Sequence, residues 1–291
     1  MSRAECVWPL AAQLGEGPIW SAAEGAVWFV DIKSSRIHRI EPASGRRRSW
    51  DAPESVGFIA PVSGGGFVCG LKSGLHRFDP RSGGFRLLAA VEPSEPDNRL
   101  NDGFVDAEGR LWFGSMHDLE TDPTGALYRL DDGPRLSRLD DGYVVTNGPA
   151  MSPDGRTLYH ADSGGQVVYA FDVAADGALS DKRVFARMEH GGVFPDGMAV
   201  DQEGCLWIAL WGGWGVERHA PDGKVIGRID LPCAHVTKPA FGGEDLTTLY
   251  ITTAWAGLSP EDRAAQPLAG GLFRAEAPVA GLPQHEIRHG F

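Results

Sequence analysis

The sequence lacks several features that each mark a particular class of protein. No apolar run in its 291 residues approaches the length of a membrane-spanning helix, and the N-terminus has no apolar segment typical of a secretory signal. The four cysteines, Cys6, Cys69, Cys205 and Cys233, lie too far apart for zinc-ribbon or Cys-x-x-Cys spacing. The sequence therefore predicts a cytoplasmic protein with reduced thiols and no membrane partner.

Positive charge is also scarce. The formal net charge is −12, which opposes binding to the phosphates of nucleic acids and to anionic membranes. The one basic cluster, residues 46–48, is expected in a solvated turn. We therefore expect no nucleic-acid partner, and we expect a monomer or a weak homo-oligomer.

Helical periodicity and several well-known catalytic motifs are missing. Residues 259–266 form the only plausible short helix. Ser163 lacks the Gly-x-Ser-x-Gly context of a hydrolase nucleophile, and the nine histidines show no metal-ligand spacing. Gly15-Glu16-Gly17 is not a dinucleotide-binding motif, because no helix follows it.

What the sequence does contain is a short motif, a turn followed by an apolar or aromatic strand, that recurs six times. The copies are about 40 to 50 residues apart, a period typical of propeller repeats. Each repeat divides into four short strands separated by turns rich in Asp, Pro and Gly. We predict an all-β fold, a six-bladed β-propeller of four-stranded antiparallel blades, with residues 1–291 forming a single domain. The copies lie at residues 24–29, 65–70, 108–113, 154–159, 203–208 and 245–250.

The ends of the chain are expected to close this propeller. Residues 5–10 resemble an outer strand, so we predict that the N-terminal segment adds a strand to the last blade. The alternative is that residues 286–289 supply that strand and the N-terminus only flanks it.

The first strand of each repeat opens with a residue that should lie at one end of the central channel. We call these six positions the ring residues. Three of them are carboxylates and one is an amide. The carboxylates would repel one another unless a divalent cation lies between them, although trapped water is the simpler alternative. Long loops on the same face mark it as the functional face, and Trp211 and Trp214 either line its mouth or belong to the core. The ring residues are Glu16, Val56, Asp102, Asn147, Asp196 and Thr237.

Six short motifs, taken together, resemble the senescence marker protein (regucalcin)/gluconolactonase/luciferin-regenerating family, and most of all its bacterial sugar lactonases of the xylonolactonase or gluconolactonase type. The resemblance covers essentially the whole chain. It implies a six-bladed propeller and a metal-dependent lactonase that acts on sugar-acid lactones. The motifs lie at residues 14–18, 99–103, 114–116, 146–149, 194–197 and 238–239.

The resemblance also implies roles for individual residues. One divalent ion is implied, and Ca²⁺, Zn²⁺, Mg²⁺, Mn²⁺ and Fe²⁺ all remain open. The metal ligands would be Glu16, Asn147 and Asp196, and the substrate hydroxyls would be held by Arg99, Asn101 and Glu120.

We therefore expect hydrolysis of a small sugar lactone, an aldonolactone such as xylonolactone or gluconolactone. The ion would polarise the carbonyl, and Asp196 or Asp102 would accept a proton from water. Two alternatives stay open. One is an arylesterase or phosphotriesterase, and the other is a calcium-binding or interaction propeller without catalysis.

Overall fold

The structure of the protein is a computed structural model that describes residues 4–131 and 135–288. Within these residues the chain is built from 24 β-strands and one short helix. None of the helical structure found there is long and apolar enough to cross a membrane.

Strand β1 (Glu5–Trp8) is followed by four sheets, each made of four consecutive antiparallel strands. The strands of these sheets are β2 (Gly15–Ser21), β3 (Ala26–Asp31), β4 (Arg36–Glu41) and β5 (Arg46–Asp51); β6 (Val56–Pro61), β7 (Phe67–Leu71), β8 (Gly74–Asp79) and β9 (Gly84–Ala90); β10 (Asn98–Val105), β11 (Leu111–His117), β12 (Gly125–Asp131) and β13 (Arg135–Tyr143); and β14 (Thr146–Met151), β15 (Thr157–Asp162), β16 (Val167–Val173) and β17 (Leu179–Arg187).

The remaining strands form one larger sheet of eight strands, which also contains β1. Its two four-stranded halves are joined where Trp211 pairs with His235. The prediction of an all-β fold of four-stranded antiparallel sheets is confirmed, and the arrangement is consistent with a propeller. The remaining elements are β18 (Phe194–Val200), β19 (Leu206–Trp211), β20 (Gly215–His219), β21 (Val225–Asp230), β22 (His235–Gly242), β23 (Thr248–Ala254), α1 (Pro260–Ala265) and β24 (Leu272–Glu276).

The first strands of the six repeats, β2, β6, β10, β14, β18 and β22, contact one another in a closed cycle. We call them the inner strands. Because the cycle closes, positions that are far apart in the chain meet around one axis. This arrangement positions the ring residues.

The N-terminal strand completes the larger sheet, as predicted. Strand β1 pairs antiparallel with β24, with Glu5 opposite Arg274. The alternative is a strand formed by residues 286–289, but the described residues 286–288 form no strand. Ile287 instead makes a parallel bridge to Val62, while residue 289 lies outside the described residues.

The recurrent motif supplies the core through its aromatic position. Trp112 and Trp207, at equivalent places in β11 and β19, are fully buried. Each indole nitrogen donates to an aspartate at the end of the preceding inner strand, Trp112 to Asp106 at 2.7 Å and Trp207 to Asp201 at 2.9 Å. Each large ring is thus buried with its single polar atom paired.

Two further predictions have different outcomes. The short helix is confirmed as α1, which begins after Ser259, whose side chain accepts from the backbone N–H of Asp262. The turn predicted for the basic cluster at residues 46–48 is wrong. These residues begin strand β5. It lies on an outer edge, where Arg47 packs over Trp8 and Arg48 over Trp50.

Candidate active site

Each inner strand is irregular at its ring residue. In every one of the six, the register with the second strand shifts at this point, as in a β-bulge, and a bulge redirects the side chain. For Glu16, Asn147 and Asp196, which lie in three different strands, the local irregularity accounts for how the side chains come to face one cavity. The shifts lie between Glu16 and Ile19, Val56 and Phe58, Leu100 and Gly103, Asn147 and Ala150, Pro195 and Met198, and Val236 and Lys238.

A glycine follows the ring residue in five of the inner strands. At Gly57 an added Cβ would lie 2.4 Å from the carbonyl oxygen of Leu100, so the close approach of the inner strands requires the missing side chain. The glycine N–H also donates to the preceding acidic side chain where there is one. These bonds run from Gly17 to Glu16 at 2.8 Å, from Gly103 to Asp102 at 2.7 Å and from Gly197 to Asp196 at 3.0 Å.

A cavity of about 420 Å³ opens at this end of the inner strands. It brings together all of the predicted site residues except Asp102. Those that line it are Glu16, Arg99, Asn101, Glu120, Asn147 and Asp196.

Glu16 and Asp196 face each other in the floor of this cavity, and both are buried. Their carboxyl groups are close enough to act on each other. Burial raises the pKa of Glu16 to about 7, and the charge of Asp102 adds to that rise. Burial, followed by the charge of Glu16, raises the pKa of Asp196 as well. Two carboxyl groups so close together require either a shared proton or a cation between them.

Asn147 is held in one orientation beside them. Its Nδ2 donates to Ser163 Oγ at 2.9 Å, and its Oδ1 accepts from Asn101 Nδ2 at 3.1 Å. Ser163 in turn donates to the carbonyl oxygen of Pro195, the residue before Asp196.

The oxygens of Glu16, Asn147 and Asp196 are donors that suit a hard or borderline divalent cation. Across residues 4–131 and 135–288, no group of three or more His, Cys, Asp and Glu side chains is arranged to hold a metal ion. The floor of the cavity differs from such a group because an amide completes its two carboxylates. The paired carboxyl groups provide the negative charge that a cation would balance, so these residues fit such an ion.

Another part of the site is a chain of charged hydrogen bonds. Arg99 is buried, with Nε donating to Asp118 Oδ1 at 2.9 Å and Nη1 donating to Asn101 Oδ1 at 2.5 Å. Lys33 Nζ donates to the same oxygen of Asp118 at 2.9 Å. Asp118, which the sequence did not single out, is thus the carboxylate that fixes Arg99.

Two further residues named in the sequence analysis, Glu120 and Trp211, lie at the rim of the cavity. Glu120 is exposed and has a φ of +60°, an uncommon conformation for a residue with a side chain. Trp211 lines the cavity and stacks on His235, with ring centroids 3.9 Å apart and planes 10° from parallel. Trp214 is not part of the cavity wall and is 43% exposed.

Asp102 lies behind the cavity wall and is paired. Its Oδ1 accepts from Lys238 Nζ at 2.5 Å and from the N–H of Gly103, and its Oδ2 accepts from the N–H of Gly148 at 3.1 Å. Sequence reasoning missed Lys238, although the repeats carried a signal: Lys238 stands where the other inner strands have glycine.

Similarity to known proteins identifies the family of this chain. Residues 14–255 match the model of the SMP-30/Gluconolactonase/LRE-like region. The chain is 36% identical over 281 residues to 6-deoxy-6-sulfogluconolactonase of Pseudomonas putida, covering 96% of this chain and 97% of that protein. It is also 36% identical over 274 residues to L-arabinolactonase of Azospirillum brasilense, covering 92% and 90%.

A solved structure, that of the calcium-binding protein regucalcin from Agrobacterium tumefaciens, is similar over almost the whole chain. The TM-score is 0.94 at 29% identity, with 99% of this chain and 98% of that chain covered. The resemblance seen in the sequence motifs is confirmed, and the chain belongs to the SMP-30/gluconolactonase/LRE-like family.

Proposed function

We propose that this protein is a metal-dependent lactonase that hydrolyses a small sugar lactone, an aldonolactone such as xylonolactone or gluconolactone, to the aldonic acid. The observation that carries the proposal is the convergence of Glu16, Asn147 and Asp196 in one cavity with Arg99. Relatives named as lactonases support the enzyme class.

We also propose that residues 1–291 form one domain, a six-bladed propeller. The closed cycle of six inner strands supports it. So does the division of the eight-stranded sheet at the pair of Trp211 and His235, which leaves two further units of four strands.

Glu16, Asn147 and Asp196 would hold one divalent cation. When bound, such an ion supplies Lewis-acid polarisation of the lactone carbonyl and stabilises the negative charge that develops on its oxygen. The all-oxygen donor set is compatible with Ca²⁺, Mg²⁺, Mn²⁺, Fe²⁺ and Zn²⁺. The solved relative described as calcium-binding supports a divalent ion of this kind.

Asp196 is assigned as the base that accepts the proton of the attacking water. Burial and Glu16 raise the pKa of its carboxyl, which makes it a stronger base near neutral pH. Asp102 is the weaker candidate because both of its oxygens already accept hydrogen bonds and it does not line the cavity.

Arg99 and Asn101 take different parts in holding the sugar. Within the described residues, Nε and Nη1 of Arg99 donate to protein groups, which leaves Nη2 to bind a substrate hydroxyl. Asn101 donates from Nδ2 to both Thr146 and Asn147, so it positions its neighbours more than it contacts a ligand. Rigid donors of this kind orient a substrate at low entropic cost.

The test is to remove metal with a chelator, add back single ions, and follow acid release from pentono- and hexonolactones and from aryl esters. We expect one ion per chain and turnover that returns with the ion and favours the sugar lactones. Full lactone turnover in the metal-free protein would contradict the proposal. Preference for aryl esters would favour the esterase alternative, and ion binding without turnover would favour a cation-binding role.

A further inference from the structure

The sixth inner strand departs from the other five at a single position. The residue after the ring residue is glycine in five strands and lysine in the sixth, within Thr237-Lys238-Pro239. Lys238 is 7% exposed, so a charged side chain lies inside the channel where the other strands contribute no side chain at all. A buried lysine is retained only where it is paired.

The path of this side chain across the channel is defined by its contacts. Its stem packs against Gly197, where an added Cβ would lie 2.5 Å from Lys238 Cβ and Cγ. Its Nζ then reaches Asp102 Oδ1 at 2.5 Å and the carbonyl oxygen of Gly103 at 3.4 Å. Lys238 therefore crosses from β22 over β18 to β10.

The pair of Lys238 and Asp102 lies between two cavities. Lys238 and Gly103 line a second cavity of about 310 Å³, whose wall shares no residue with that of the candidate active site. The charges of Asp102 and Lys238 both act on Glu16. The pair therefore lies directly behind the proposed cation ligands.

The charges around the cation site do not balance. Glu16, Asp102 and Asp196 contribute three carboxylates, and Lys238 contributes one ammonium group. Two negative charges remain, which is the charge that one divalent ion neutralises. The group around Arg99 is balanced within itself, because it holds the cations Lys33 and Arg99 and the carboxylates Asp118 and Glu120.

We propose that Lys238 is a fixed counter-charge for the cation site, a positioning residue that with Asp102 sets the charge of the site to match one divalent ion. The inference rests on the cation site of the proposed function. Asp102 also accepts from the N–H of Gly148, next to Asn147, so the same pair fixes the backbone of a proposed cation ligand.

Three variants test the counter-charge by its sign. Asp102→Asn removes a negative charge and Lys238→Met removes a positive one, while the double variant Asp102→Asn/Lys238→Met restores the balance. Mn²⁺ affinity is measured by isothermal titration calorimetry at fixed pH and ionic strength. Because both charges act on Glu16 in a buried site, we expect Asp102→Asn to weaken Mn²⁺ binding at least about tenfold and Lys238→Met to strengthen it at least about tenfold.

The double variant is expected to bind Mn²⁺ within about threefold of the wild type, because its site again carries two negative charges. It leaves no unpaired buried charge, so it is the variant most suited to fold. Lys238→Gln replaces Lys238→Met if thermal unfolding shows that the latter is not folded. Lys224→Met, at an exposed turn lysine, is the matched control and should leave the affinity unchanged.

The outcomes separate this inference from the proposed function. If the two single variants shift the affinity in the same direction, or not at all, or if the double variant does not recover, the counter-charge role is overturned. The cation site itself would survive that result. A wild-type protein that binds none of Ca²⁺, Mg²⁺, Mn²⁺, Fe²⁺ and Zn²⁺ would overturn both.

Discussion

At the scale of single residues, Asp196 is the side chain on which the proposed chemistry depends most. It is both a proposed cation ligand and the proposed base. Replacement by Asn keeps the size of the side chain but removes the charge and the basic oxygen. We expect Asp196→Asn to lower kcat/KM by at least about 10²-fold, since base catalysis alone contributes that much.

The measurement for Asp196→Asn is lactone hydrolysis together with Mn²⁺ titration and thermal unfolding. Activity and ion binding should both fall while the unfolding transition remains. Asp222→Asn, in an exposed turn, is the control and should behave as the wild type. Near-normal turnover in Asp196→Asn would show that another group accepts the proton.

A second residue, His160, is expected to make stability depend on pH. It is fully buried, packs edge-on against Tyr143, and within the described residues has no hydrogen-bond partner on either ring nitrogen. Burial lowers the pKa of His160 to about 3. The unfolded chain, with an ordinary histidine pKa near 6.5, therefore binds a proton that the folded chain does not between pH 6.5 and pH 3, so stability falls as pH falls through this window.

His160→Leu removes that proton linkage. Between pH 7 and pH 4.5, we expect the wild type to lose about 2.5 kcal/mol of unfolding free energy through this residue, and the variant to lose that much less. Urea unfolding at both pH values measures the difference. His190→Leu, at an exposed histidine, is the control. Equal losses in His160→Leu and the wild type would show that His160 is not the source.

The residues of the site divide into those that the sequence could predict and those that it could not. Glu16, Asn147 and Asp196 occupy equivalent positions in the repeats, so comparison of the repeats with one another predicted that these residues lie close together. Lys238 and Asp118 act through long or loop-borne side chains that reach residues of other strands. Repeat position predicts where a Cα lies but not how far a side chain extends, so these partners became visible only in the structure.

At the scale of elements, five of the six inner strands depend on the glycine that follows the ring residue. Gly197 does not have a positive φ, so its requirement is one of space: an added Cβ would lie 2.5 Å from the stem of Lys238. We expect Gly197→Ala to lower the unfolding free energy by about 1–3 kcal/mol through overpacking. It should also change the affinity for the ion, because Lys238 would have to move.

Gly191→Ala is the matched comparison for Gly197→Ala. Gly191 also lacks a positive φ, and an added Cβ there would meet no atom within 4 Å. The Gly191→Ala substitution should change the free energy of unfolding, measured in urea, by no more than about 0.5 kcal/mol. If the two variants were equally stable, the packing of the inner strands would not require the glycine.

The outer strands follow a different physical rule, and this is where the sequence misleads. Residues 46–48 are polar and lie near turn residues, so their composition predicts a turn. They form part of β5 because an outer strand has one exposed edge, and charged side chains there are compatible with pairing on the other edge. Composition alone does not separate such a strand from a loop.

At the scale of the whole molecule, the fold depends on pairing the two ends of the chain. Strand β1 covers the edge of β24, and Trp8 is buried with its ring 5.6 Å from Phe29. Deletion of residues 1–9 would remove a strand and a large buried side chain and expose the edge of β24. We expect a loss of about 3–5 kcal/mol, the cost typical of removing a buried Trp, and self-association through the uncovered edge.

Calorimetry and size-exclusion chromatography measure these two effects of the deletion. The control is Glu5→Gln, which breaks the exposed ion pair with Arg274 but keeps β1, and its effect should not exceed about 1 kcal/mol. Because we propose one closed domain, the melting of the whole chain should shift as a single transition. A deletion that melted only one part of the molecule, with the remainder unchanged, would mean that the sheets are not coupled around one ring.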